Sequence, residues 1–433
     1  YKELFMAWRK YKKELRIMKK IKCIYSKAEK LWRDEEMLYE VLEYMYLVLL
    51  GMFLLQSAFW NTMFTIPWPV NYHYYLHLAL GVFIFAKFFI MKKPSLWEAS
   101  LIFLTLLGFV AAWRINGYDE IFDMALLVVG AYQVNYKKIL KLYLSITFPI
   151  TISAIIASNL GIITNLIYEL GGRHREALGF NYPTDLAARI FMMMAAWVLL
   201  REIRCTYYEL ILMILTAFWL DVNCDSRCSE ICILLMVGAV FYLKIRNQKA
   251  AKKGNIYQPS KYLKWLCIIS PLIFSSTMIL LMRFYNPDNK ILAFLNKALT
   301  ERLKFGKRTF DDYNVTLLGQ YVAMEGNGRK TNFDFRYTFI DCSYLNMLMR
   351  FGIIVFIIVL FLIEITMIRN YNNIFILGLI ALICLHSAIE HHFFEYYYNF
   401  FMLLPMASFK DINNIGFIAK IRRKYCLQNG KGV

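Results

Sequence analysis

Charge is scarce in this chain of 433 residues: 19% are Asp, Glu, Lys or Arg, against 59% hydrophobic and 17% aromatic. That balance excludes a disordered chain and an ordinary soluble domain, in which charged residues reach about a quarter. Acidic side chains are the scarcer kind, 31 against 50 basic, and the formal net charge is +19. Nine cysteines are too few and too scattered for a disulfide framework, and no Cys-x-x-Cys pair supplies a zinc or redox pattern. Cys224, Cys228 and Cys232 share one helical face, but without a further ligand nearby they read as small packing residues at a helix start. A cleavable signal peptide is not evident, because the first long apolar run starts near Leu38 and is too long and wrongly flanked for one.

What the chain has instead is a succession of apolar runs, each of the roughly 20 residues that cross a bilayer. They lie near 38–58, 71–91, 95–113, 118–135, 138–162, 183–200, 206–221, 228–245, 262–282, 343–365, 372–390 and 394–411. The expectation is an all-α polytopic membrane protein of about twelve transmembrane helices, since lipid cannot satisfy open backbone groups. Its divisions are a cytoplasmic basic segment (1–37), nine spans (38–282), an extracytoplasmic cap loop (283–340), three spans (343–411) and a basic tail (412–433).

Lys and Arg gather in cytoplasmic loops. With the N-terminus inside, Lys92–Lys93, Lys137–Lys138, Arg201, Arg204, Arg369, Arg422–Arg423 and the stretch Lys244–Lys264, with seven basic and no acidic residues, all fall inside. Both termini are then cytoplasmic. The first 33 residues carry twelve basic and three acidic side chains, with Leu4, Trp8, Tyr11, Leu15 and Met18 at helical spacing. This reads as an amphipathic helix on the inner leaflet, its lysines facing anionic lipid. The basic surplus tracks topology so closely that nucleic acid is not an expected partner; the lipid bilayer is.

The outer segment 283–340 exceeds the roughly 15 residues a structureless connection usually spans, so it should fold into a small cap. Ile291, Leu292, Leu295, Leu299 and Leu303 suggest a helix lying along the membrane surface. Asp311–Asp312 and Gly326–Asn–Gly328 supply turns, and 333–339 leaves strand or coil open.

Charge at an apolar boundary needs a reason. Three sites qualify: Gly171 to Asp185, in which Arg173 and Arg175 flank His174 ahead of a helix starting at Pro183; the turn Asp221 to Arg227; and Asp341 to Gly352, where the cap re-enters the membrane. In that order and separation they resemble the bacterial O-antigen polymerase and ligase superfamily, in particular its Wzy-type polysaccharide polymerase branch, an integral membrane glycosyltransferase group with a GT-C-like fold. The resemblance spans roughly Gly171 to Gly352. It rests on an arginine followed by Gly-Phe-x-x-Pro (Arg175 to Pro183), a Ser-Arg turn (Ser226–Arg227) and the loop exit at Asp341 to Gly352, where the ligase branch typically opens with a histidine.

That resemblance implies a polymerase joining undecaprenyl-pyrophosphate-linked repeat units, donor and acceptor alike, at the outer face of the bacterial cytoplasmic membrane. A chain-length co-polymerase is a partner expected on the same ground. The donor is already activated, so the protein must stabilise negative charge on departing pyrophosphate while the anomeric carbon becomes oxocarbenium-like. Arginine suits that task, because its planar fork donates paired hydrogen bonds to phosphate oxygens. Arg175 and Arg227 are the expected clamp, with Arg173 supporting and Asp225, Arg283 and Arg308 as further binding residues. The acceptor hydroxyl needs a base: Asp341 first, His174 second, His391 or His392, beside Glu390, third. Inversion is expected. No carboxylate cluster suggests a required metal, and no cofactor is expected.

Each residue also has a plainer reading. Arg173 and Arg175 could snorkel to headgroups, Asp225 and Arg227 could pair structurally, and Asp341 could N-cap the tenth span. His73 and His77 read as interfacial packing, and Trp60, Trp68 and Tyr396–Tyr398 as aromatic-belt residues. A ligase attaching finished glycans to another acceptor stays open. So does a flippase or transporter, although Pro149, Pro271 and Pro405 interrupt helices without the matched halves such proteins show.

Overall fold

The computed structural model describes residues 37–91, 94–170, 172–255, 257–330 and 335–409. The basic segment expected at 1–37 lies outside them but for Met37, as do the 412–433 tail and Lys92–Lys93. The described chain is a bundle of helices: α1 (Met37–Trp60), α2 (Tyr72–Ile90), α3 (Leu96–Asn116), α4 (Asp119–Gly130) and α5 (Tyr136–Asn159). A hairpin of β1 (Ile167–Leu170) and β2 (Arg173–Glu176) follows, then α6 (Pro183–Arg201), α7 (Tyr207–Cys224), α8 (Arg227–Ala251) and α9 (Lys261–Arg283). The cap holds α10 (Lys290–Ala298) and α11 (Arg302–Asp312); α12 (Ser343–Asn346), a π turn (Met347–Phe351), α13 (Gly352–Arg369) and α14 (Ile374–Ser387) complete the bundle.

Among the described residues, eight helical stretches are long and apolar enough to cross a membrane: α1, α2, α3, α5, α7, α8, α9 and the continuous run Ser343–Arg369. Their outward faces are apolar as well, with Phe85 76%, Phe89 85% and Leu96 86% exposed. Exposed apolar surface on that scale suits contact with lipid. Helix starts follow their local chemistry. Ser95 with Glu98, and Thr206 with Glu209, form reciprocal capping boxes on α3 and α7, and Pro183 occupies the first turn of α6. Helix α6 is buried from Leu186 to Leu199 on most of its faces and forms the centre of the bundle.

Contacts at the two ends show how the helices alternate. At one end Arg329 donates to Asn181, Trp60 and Thr62, Asn116 to Leu318 and Arg350, and Arg175 to Cys224, while Val322 and Tyr118 bond each other. At the other, Lys138 meets Glu43, Lys87 donates to Gly130 and Tyr132, Asn373 to Glu202, and Lys244 to Ile203 and Cys205.

Three expectations are corrected. Helices α4 and α14 have 12 and 14 residues, short of the lengths expected for their spans. The final expected span, 394–411, is not a helix: from Glu390 to Phe409 only Phe400–Leu403 forms a short 3-10 turn. This stretch nonetheless reaches the far end, where Ser408 donates to the Val134 carbonyl and Gln133 to that of Met406. Its side chains, Tyr398 and Phe400 to Leu404 among them, are buried in protein, and irregular backbone at that depth is tolerated only there. Finally, the surface helix expected from Ile291 to Leu303 divides into α10 and α11, because Thr300 and Glu301 adopt left-handed conformations (φ 55° and 65°). Leu303 then turns into the core, while Ile291 and Phe294 stay exposed on α10.

The cap is pinned to the π turn. Gln320 donates to the Arg350 carbonyl, and Ile353 and Ile354 donate to Thr316 and Leu317. Here Gly352, at φ 88°, has no room for a side chain: a Cβ would lie 2.3 Å from the Gly319 nitrogen and 2.6 Å from the Leu317 oxygen. Gly352→Ala should therefore lower stability by at least the ~1–3 kcal/mol of a strained residue. Thermal unfolding of purified protein checks this, with Gly238→Ala, where a Cβ meets nothing within 4 Å, as the silent control.

Candidate active site

The β-hairpin, the α7–α8 turn, the α10–α11 turn, the loop exit and the residues after α14 enclose a cavity of ≈ 460 Å³. Its wall includes Arg173, Arg175, Asp225, Arg227, Arg302, Tyr337, Asp341 and Glu390. Strand alternation decides what the hairpin contributes: residues two apart share a face, so Arg173 and Arg175 both turn inward and His174 turns away. His174 is 57% exposed beside Glu169 and Glu176, and does not line the cavity.

Arg173 is an anchor. Its guanidinium pairs with the Asp225 carboxylate and donates to the Asp225 carbonyl at 2.7 Å. Asp225 sits at φ 44° in the αL turn that ends α7, and also lies 3.4 Å from Arg227 Nε. Burial alone raises its carboxyl pKa, but the Arg173 hydrogen bond and the surrounding arginine charges outweigh that and hold it below the ordinary range. The structural pairing therefore exists, and it leaves most of Arg227, 73% exposed, at the cavity mouth.

Arg175 differs. It is buried, its Nε donates to the Cys224 carbonyl at 2.8 Å and its Nη1 to Tyr182 at 3.2 Å, and no carboxylate among the described residues lies within salt-bridge distance. Ser226 Oγ, just ahead of α8, is likewise buried without a hydrogen-bond partner. A buried guanidinium whose hydrogen-bond partners are neutral has no paired counter-ion, only the field of Asp225, Asp341 and Glu390 around it, and that leaves room for an anion to meet it.

Asp341, which also lines the cavity, does not cap the helix that follows; Cys342 occupies that position and makes no side-chain cap. Its two oxygens, 3.1 and 3.0 Å from Tyr337 Oη, accept from that hydroxyl. Burial pushes the Asp341 carboxyl up, with Arg302, the Tyr337 hydrogen bond and Arg175 pulling the other way. Arg302 donates to the Ile389 carbonyl at 2.7 Å and to Glu390 at 3.1 Å, a pair 13% and 3% exposed. Glu390 is pushed up to about 7 by burial, against Arg302 and with Asp341 adding.

Four further expected site residues are elsewhere. Arg283, at the end of α9, stacks on Phe310. Arg308 donates to the Tyr337 carbonyl at 3.2 Å, so it braces the segment carrying Tyr337 without entering the cavity. His391 and His392 lie behind the cavity wall, facing Asp185 and Glu395. Conversely, Arg302, Tyr337 and Glu390 were not among the expected site residues. Arg302 had a signal, a charge interrupting the apolar stripe of the cap helix; Tyr337 had none.

Comparison of the chain with protein-family models, curated proteins and solved structures finds no match.

Arg302 pairs with the buried Glu390, so Arg302→Leu should destabilise the protein by about 3–5 kcal/mol, the cost of leaving a buried charge unpaired. Thermal unfolding should show part of that loss restored when Glu390→Gln is added.

Proposed function

We propose that the protein is a polysaccharide polymerase of the bacterial cytoplasmic membrane, joining oligosaccharide repeats carried on undecaprenyl pyrophosphate at the outer face. The observation that carries the reading is Arg175: a buried guanidinium, held by a carbonyl and a phenol, facing a cavity that Asp341 also lines. The cavity lies at the end of the bundle that the distribution of Lys and Arg assigns to the outside. On this reading about twelve passes in a GT-C-like arrangement surround the site, the last made by irregular chain.

The chemistry follows from the two walls. The acceptor hydroxyl attacks the anomeric carbon as the bond from that carbon to the pyrophosphate oxygen breaks. Asp341 takes the hydroxyl proton, and Tyr337 holds the carboxylate in place. Arg175 meets the charge growing on the departing diphosphate, Arg227 approaches from the mouth, and Arg173 fixes Asp225 and the turn between them. Base and leaving-group clamp on opposite sides give inversion. The exposed apolar side chain of Ile231 at the cavity wall suits a prenyl tail that stays in lipid.

An elongation assay with purified protein and lipid-linked repeats tests this, without ATP, sugar nucleotide or ion gradient. Wild type should build a ladder; translocation without a new glycosidic bond, or no ladder until a separate acceptor is added, would point to the transporter or the ligase. Asp341→Asn should cost about 10²- to 10⁴-fold in rate. Arg175→Ala should cost roughly 10²-fold or more, with little rescue by Arg175→Lys, whose ammonium cannot form the paired bonds. His174→Ala should leave the ladder unchanged.

The pH dependence has a definite sign. A base must be deprotonated, and Asp341 is raised above its ordinary 3.8 by burial, so the rate should fall with acidification at a pH above the usual carboxylate range. The Tyr337 hydrogen bond lowers that pKa, so Tyr337→Phe should move the inflection to higher pH in a kcat/KM profile.

A further inference from the structure

Behind the cavity wall the first turn of α6 meets the irregular segment after α14. Asp185, His391 and His392 bring ligand atoms within 4.8 Å of one another there, and Asp185 and His392 are buried. Glu395 Oε2 lies 2.8 Å from His392 Nδ1. That bond places the proton on Nδ1 and leaves Nε2 with a lone pair, which faces Asp185 Oδ1 at 3.6 Å and has no hydrogen-bond partner. His391 Nδ1 is also buried without a partner. Two electron-rich atoms thus face each other at a separation too long for a hydrogen bond. A tetrahedral zinc ion about 2.0–2.2 Å from each ligand holds them roughly 3.4 Å apart.

We propose that Asp185, His391 and His392 bind a divalent cation of the zinc class, with Glu395 orienting His392 from outside the coordination shell. The donor set selects the ion: two imidazoles and one carboxylate suit zinc, whereas magnesium and calcium prefer all-oxygen sites. Asp185 and Glu395 supply two negative charges to a site that also lies in the field of the buried Arg189 guanidinium. The carboxylate–imidazole–metal relay is a common second-shell device, and the Tyr398 ring, stacked on His392 at 3.9 Å, holds the imidazole plane. Three protein ligands leave the fourth tetrahedral position to water, and the ion ties the turn that carries Glu390 into the cavity to the first turn of α6, where Thr184 also lines it. The proposal does not depend on the glycan reading.

A second cluster, His73, His77 and Asp123, makes the contrast. Both imidazoles already contact the same Asp123 oxygen directly, His73 at 3.0 Å, so protons close that site.

The test uses the full chain in detergent, stripped with a chelator and reloaded with Zn²⁺ or Co²⁺. Expected are roughly one bound ion per chain, a cobalt spectrum of tetrahedral type and a higher melting temperature on reloading. His392→Ala and the isosteric Asp185→Asn should abolish retention, Glu395→Gln should weaken it by about 10- to 100-fold, and His77→Ala should leave it intact. Should His392→Ala fail to fold, Asp185→Asn decides alone. No zinc on the reloaded wild type, or wild-type retention in Asp185→Asn, overturns the proposal.

Discussion

Burying charge in an apolar bundle is costly, and the arrangement at the cavity end follows from how that cost is met. Removing a guanidinium or carboxylate from water costs several kcal/mol per ion unless partners replace the solvent. Arg173, Asp225 and Arg227 satisfy one another at the α7–α8 turn, and Arg302 is shared between Glu390 and the field of Asp341. The partners are gathered from well-separated parts of the chain. The hairpin, the cap, the loop exit and the post-α14 segment are therefore drawn to one place by electrostatics as well as by packing, and Arg175 is left with neutral partners where the others have carboxylates.

The geometry also separates residues by office. Asp225, Arg308 and Arg350 are braces: Arg350 pairs with Glu120 at 3.1 Å and lies over the Tyr118 ring, while its carbonyl receives the cap. Arg175 and Asp341 remain open to the cavity. A charged residue near an apolar boundary is thus not by itself a reacting group. What distinguishes the two classes is whether its hydrogen-bonding capacity is already used.

Much of this was readable from residue order alone, and the failures have physical causes. Long lipid-facing helices announce themselves by apolar length, so α1, α2, α3, α5 and α7 to α9 lie where the runs are. Hydropathy cannot tell a lipid-facing side chain from one buried in protein, and for that reason 394–411 reads as a helix when it is an irregular core segment. In the site, Arg173, Arg175, Asp225, Arg227 and Asp341 converge on one cavity. His174 fails because a four-residue strand leaves too little periodicity to reveal which way its side chains alternate. Tyr337 and Glu390 owe their positions to a coil and to the end of a short helix, and neither leaves a pattern in the sequence.

The irregular stretch from Glu390 to Phe409 bears on how such a protein is made. A hydrophobic helix can leave the insertion machinery and rest in lipid alone, since its own backbone is satisfied. This stretch is less self-sufficient: local turns satisfy part of its backbone, but at its far end Met406 and Ser408 pair with Gln133, Val134 and Tyr136 of a neighbouring segment. Assembly therefore finishes with the last of the described chain settling into a slot that earlier helices have prepared, and the cavity end is closed in the same event that completes the core.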